Sequence, residues 1–125
     1  MDKIDIRDLR VGNWVYSSFS ETPCKVNEIR LHDSGYGVCK VTGVDGYKDV
    51  ASLSPIPLTS DICDQVNDGY VILLWDDKKY EETGETWYEL NICNMPDKTV
   101  CINIQYLHQL QNILRDLGIV KEITI

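Results

Sequence analysis

The sequence predicts a strand-rich α+β fold. An N-terminal SH3-like small barrel comes first, followed by antiparallel strands, a C-terminal amphipathic helix and a final strand. Three features of the chain lead there. Short apolar or aromatic runs recur between glycine turns roughly every ten residues through the first half. Residues 107–117 repeat leucine and isoleucine at helical spacing. The 125 residues, 43% hydrophobic and 26% charged, have the balance of a single domain that can bury a core.

Each element has its own signal. Gly12-Asn13 turns the chain into the aromatic strand Trp14-Val15-Tyr16. After Pro23, Cys24 and Val26 share one phase and Ile29 and Leu31 the other. That slip between Asn27 and Glu28 predicts a β-bulge. His32-Asp33-Ser34-Gly35 predicts a turn into strand 36–41, and Asp45-Gly46 a hairpin into strand 47–53. Pro55 and Pro57 mark a seam within the single domain, dividing it into a barrel part, 1–58, and a second part, 59–125.

In the second part, Thr59 or Ser60 caps a short helix that ends near Asn67. Residues 70–75 show no alternation, which predicts a strand covered on both faces. Residues 76–85 read as a charged hairpin loop. Residues 87–93 alternate, with Tyr88, Leu90 and Ile92 inward, and Met95-Pro96-Asp97 turns the chain into strand 99–102. On the last helix, Gln105, His108, Gln109, Gln111, Asn112 and Arg115 form a polar face, and Gly118 is the stop. Ile119, Ile123 and Ile125 share one face of the expected final strand, 119–125.

The formal charge of −8 is unevenly spread. Residues 1–59 carry seven basic and eight acidic side chains, and residues 60–125 five and twelve. Such a field opposes general nucleic-acid binding, which depends on neutralising phosphates. Five cysteines, an odd number without close pairs, read as buried free thiols and not as a disulfide or zinc framework. His32 and His108 have no evident orienting partner, and the acids of 76–89 lack the register of a calcium loop. No phosphate-binding or nucleophile-elbow motif is present. The expectation is a non-enzymatic protein with no catalytic residue, metal or cofactor. No apolar run reaches the roughly 18 residues of a membrane span, and Asp2 and Asp5 replace the basic start of a secretory signal. The expected location is the cytoplasm.

Binding is the remaining class. Trp14, Tyr16 and Tyr36, with Arg10, Arg30 and Lys40, supply the stacking surfaces and cations that a small nucleotide-like ligand needs. Tyr47 and Lys25 lie in the same half. The competing reading places these aromatics in the barrel core with the cations solvating its rim. A second functional reading is a protein-docking module or inhibitor, since three tryptophans and seven tyrosines exceed what one small core readily hides. Its interface would include His108, Gln109, Asn112 and Ile123, with self-association into a homo-oligomer. A third, ranked below both, is an acidic mimic of DNA.

The segments Leu9-Arg10-Val11-Gly12-Asn13-Trp14-Val15-Tyr16, Pro55-Ile56-Pro57-Leu58-Thr59 and Tyr106-Leu107-His108-Gln109-Leu110-Gln111-Asn112 resemble a group of small uncharacterised proteins from Bacteroidetes genomes and their phages and prophages. The match consists of short patches. It implies a bacterial or phage origin and a cytosolic setting, the host cytoplasm if phage-encoded. In such a setting, a nucleotide pocket would sequester an immune signal as an anti-defence device. The resemblance brings no catalytic residues.

Overall fold

The computed structural model describes residues 4–31, 36–95 and 98–125. They form a mixed α/β protein with two antiparallel sheets and three α-helices. The expected turn at 32–35 and the Pro96-Asp97 turn lie outside the described residues. The chain divides into two compact units: Met1–Ile56 with Tyr106–Ile119, and Pro57–Gln105 with Val120–Ile125. The division falls at the proline seam, and the long C-terminal helix belongs to the first unit.

Unit 1 contains β1 (Trp14–Ser17), β2 (Cys24–Leu31), β3 (Gly37–Val41), β4 (Lys48–Asp49) and β5 (Leu53–Ser54) in the order β4-β3-β2-β1-β5. No closed barrel forms among the described strands. The expected strand 47–53 is broken: Asp49 Oδ1 accepts from Ala51 N at 2.8 Å and starts a short 3-10 turn, Val50–Ser52. The expected bulge is present, with the β2–β3 register shifting between Val26 and Glu28. Val15, Cys24, Val26, Cys39 and Val41 point inward and pack with Leu9, Val50 and Leu53. Their strand neighbours Trp14, Tyr16, Lys25, Arg30 and Lys40 consequently face the other way.

The helix of unit 1, α3 (Leu107–Asp116), packs on β1 and the N-terminal 3-10 turn Ile6–Asp8. Its leucines are buried as expected, but its polar face is not the outward surface read from the sequence. His108 and Asn112 are buried. Asn112 is drawn in because its amide bonds the 8–13 segment: Asn13 Nδ2 donates to Asn112 Oδ1 at 2.8 Å, and Asn112 Nδ2 donates to Asp8 O at 2.5 Å. Gln111 Oε1 accepts from Trp14 N at 2.9 Å, and Gln111 Nε2 donates to Gly12 O at 3.2 Å. Arg115 Nη2 donates to Val11 O at 2.7 Å, and Arg10 pairs with Asp116 at 2.5 Å.

Unit 2 contains α1 (Ser60–Val66), β6 (Val71–Trp75), α2 (Asp77–Thr83), β7 (Tyr88–Met95) and β8 (Lys98–Ile104), its sheet running β6-β7-β8. Thr59 caps α1, with its Oγ1 accepting from Ile62 N. The helix packs on β6, and Ile62, Cys63, Val66, Val71, Leu73, Leu90 and Ile92 are buried. Three expectations are corrected. Residues 77–83 are helical where a loop was expected, because Asp76 Oδ1 caps Lys79 N and Gly84 at φ 72° ends the turn. Strand β6 is not covered on both faces, since Leu74 and Trp75 are exposed. No strand forms over 119–125: Gln65 takes its main chain instead, Oε1 accepting from Thr124 N and Nε2 donating to Thr124 O, both at 2.8 Å.

Gly12 sits at φ 94° in the turn beneath α3, and a Cβ there would lie 2.9 Å from the Arg115 guanidinium. Gly43, at φ 77°, has open space around it. Gly12→Ala is therefore expected to cost about 2 kcal/mol. Gly43→Ala should cost less, having only the backbone strain. Equilibrium urea unfolding of both variants checks the order.

Candidate functional site

The outward face of the unit 1 sheet gathers most of the residues read as ligand-binding. Strand alternation places Trp14 and Tyr16 of β1, Lys25 and Arg30 of β2 and Lys40 of β3 on that face, and the bulge adds Glu28 to it. Tyr47, in the turn before β4, is the centre of a cluster. The Arg30 guanidinium lies 4.8 Å and the Lys40 ammonium 4.7 Å from its ring centroid. Glu28 Oε1 accepts from both the Tyr47 hydroxyl and Arg30 Nε at 2.9 Å. Two further pairs repeat the chemistry in the same unit: Lys25 lies 5.2 Å from the Trp14 ring and Lys48 4.6 Å from the ring of Phe19.

The electrostatics follow from these contacts. The Tyr47 and Arg30 hydrogen bonds hold the Glu28 carboxyl below its ordinary range. Burial and then the Glu28 hydrogen bond push the Tyr47 hydroxyl up. Glu28 is thus an ionised counter-charge seated against Arg30.

The remaining candidates lie elsewhere. Arg10 is held by Asp116 and sits at the helix–turn junction. Tyr36 lines a separate open hollow of about 330 Å³ with Ile4, Ile6, Gly37, Asp49, Val50 and Ala51. Of the residues read as an interface, His108 stacks on Tyr106 with centroids 6.1 Å apart. Gln109 Oε1 accepts from Tyr106 N at the start of α3, Asn112 belongs to the turn network, and Ile123 is buried. His32 lies outside the described residues. Glu28 was missed, although its i, i+2 spacing to Arg30 beyond a predicted bulge placed both on one strand face.

Groups suited to nucleophilic or metal chemistry are poorly placed for it among the described residues. Cys24, Cys39 and Cys63 are buried free thiols, and burial pushes Cys63 up to about 11. The thiol of exposed Cys101 is raised by partial desolvation and by the nearby Glu89 carboxylate. No described His, Cys, Asp or Glu side chains cluster to hold a metal ion. No described helix is long and apolar enough to cross a membrane. Comparisons of the chain with protein-family models, curated proteins and solved structures give no match.

Burial lowers the His108 pKa, with the Asp8 carboxylate opposing the shift, and its Nδ1 is buried without a partner. The unfolded chain therefore binds a proton more readily than the folded one. The stability this neutral imidazole contributes is full above the unfolded pKa of about 6.5 and is lost as pH falls toward the lowered folded value. Denaturation midpoints are expected to drop between about pH 7.5 and 5.5. The drop should be smaller in His108→Gln, where position 108 no longer titrates.

Proposed function

We propose that this protein is a non-enzymatic binding protein that captures a small nucleotide-like ligand on the outward face of the unit 1 sheet. The observation that carries the reading is the Tyr47 ring with the Arg30 guanidinium and the Lys40 ammonium both within 5 Å of its centre, and Glu28 as the local counter-anion. Cations and aromatic rings gathered on one face are the groups that a base and its phosphate call for. Lys25 on Trp14 extends the same chemistry along the face, and Tyr16 is 41% exposed beside it. The strongly negative charge of the whole chain favours a short ligand over a long phosphate backbone, because few contacts then have to outweigh the general repulsion.

The resemblance to small Bacteroidetes and phage proteins gives the reading its setting: a cytoplasmic, phage- or prophage-type sponge for a nucleotide immune signal. The meander β4-β3-β2-β1-β5 is compatible with an SH3-like ancestry for this unit. Capture by stacking and charge needs no reactive group.

Isothermal titration with cyclic and ADP-ribose-derived nucleotides tests the proposal. At least one ligand is expected to give a saturable isotherm that weakens about tenfold or more in Arg30→Ala and in Lys40→Ala, a loss of about 1.4 kcal/mol. Flat traces across the whole panel for the unaltered protein would remove it.

A further inference from the structure

We infer that the free edge of β8 is a docking site for an extended, lysine- or arginine-bearing segment of another protein, which joins the unit 2 sheet as a fourth strand. The sheet runs β6-β7-β8, so β8 has a strand on one side only. The ladder decides which of its backbone groups point outward. Asp76 N donates to Trp87 O at 2.9 Å, one step beyond the Trp75–Tyr88 pair. In an antiparallel ladder this assigns 72, 74 and 76 to bonding β7, and leaves 88, 90 and 92 bonding β8. Their partners on β8 are Ile104, Ile102 and Val100. The N–H and C=O groups of Cys101 and Asn103 therefore point away from the sheet, and no bond to them occurs among the described residues.

The opposite edge is occupied at Val71 and Leu73. On β6, Leu73 N donates to Asn67 Oδ1 at 2.6 Å while Asn67 Nδ2 donates to Leu73 O at 3.3 Å. Asp68 does the same at Val71, its Oδ1 accepting from Val71 N at 2.8 Å and its own N–H donating to Val71 O at 3.1 Å. Asn67 and Asp68 thus occupy, at these two residues, the groups that a new strand would need. Among the described residues, nothing equivalent covers Cys101 and Asn103. At the end of β8 the edge already accepts main chain, with Leu58 N donating to Gln105 O at 3.1 Å before the chain turns into α1. The edge has the geometry for strand addition.

Chemistry selects the occupant. Beyond Lys98 at its start, β8 contains no charge and no proline through Ile104, so the stretch around Cys101 and Asn103 lacks these devices against pairing. Carboxylates border it: Asp76 Oδ2 accepts from Asn103 Nδ2 at 2.6 Å, Glu89 stands opposite Asn103 in the ladder, and Glu85 Oε2 accepts from Gln105 Nε2 at 3.1 Å. Unit 2 carries eleven acidic and four basic residues. A second copy of this edge would bring like charge against like, whereas a cationic strand is attracted and held in register by its backbone.

Amide hydrogen exchange of the full chain, alone and with an alternating Lys–Val octapeptide, tests this. In the free protein the Cys101 and Asn103 amides exchange faster than those of Ile102 and Ile104. The peptide is expected to slow them about tenfold or more, while a matching Glu–Val octapeptide leaves them unchanged. Asn103→Pro removes an outward donor without removing a ladder bond, and should lose the peptide effect while Leu90 stays protected. Unchanged exchange with the Lys–Val peptide, or equal slowing by both peptides in the unaltered protein, overturns the proposal. Protection of the same amides that grows with concentration of the protein alone also overturns it, assigning the edge to a second copy.

Discussion

The geometry of unit 1 depends on a set of amide hydrogen bonds between the C-terminal helix and the turn before the first strand. Asn13 and Asn112 are both buried and bonded to each other. Each also bonds main chain of the 8–13 segment, through Arg10 N to Asn13 Oδ1 and Asn112 Nδ2 to Asp8 O. Buried amides left unpaired cost about 1–3 kcal/mol apiece, so this contact is favourable only when both partners are seated. The two residues lie 99 positions apart, and the link closes a unit whose two chain segments are separated by residues 57–105.

The consequence reaches the candidate site. Gln111 takes Trp14 N, which fixes where β1 begins and therefore which of its residues face outward. Val15 turns into the core, and Trp14 and Tyr16 turn to the surface with Lys25, Arg30 and Lys40. A slip of one residue would exchange these sets. The bulge in β2 acts in the same way farther along, bringing Glu28 onto the face with Arg30, where it meets the Tyr47 hydroxyl. One junction and one bulge are enough to set the phase of the face.

Much of this was legible in the chain. The period of Leu107, Leu110 and Leu114 announced α3, Thr59 announced α1, and the phase change after Val26 announced the bulge. Two of the parts that were not legible share a physical cause: side-chain amides whose partner is distant main chain. Nothing local to Asn112 says that Asp8 and Asn13 will take both ends of its amide, so the helix face looked like open surface. Gln65 occupies the backbone of Thr124, leaving the isoleucines of 119–125 without a strand. Helix α2 was hidden because its residues are too polar to show a period, although Asp76 and Gly84 were the signals of its two ends. Of the candidate site, the aromatic and cationic residues were visible as types. Tyr47 as their centre was not, since its place depends on three strands coming together.

The junction is tested most directly by a double-mutant cycle on Asn13→Ala and Asn112→Ala, read by equilibrium unfolding. If the two amides stabilise the unit through each other, either single change costs about 1–3 kcal/mol, and the double change costs less than their sum by about 1 kcal/mol or more. Losses that add to within about 0.5 kcal/mol would show the two residues acting independently, and would contradict the claim that this contact holds the helix to the first strand.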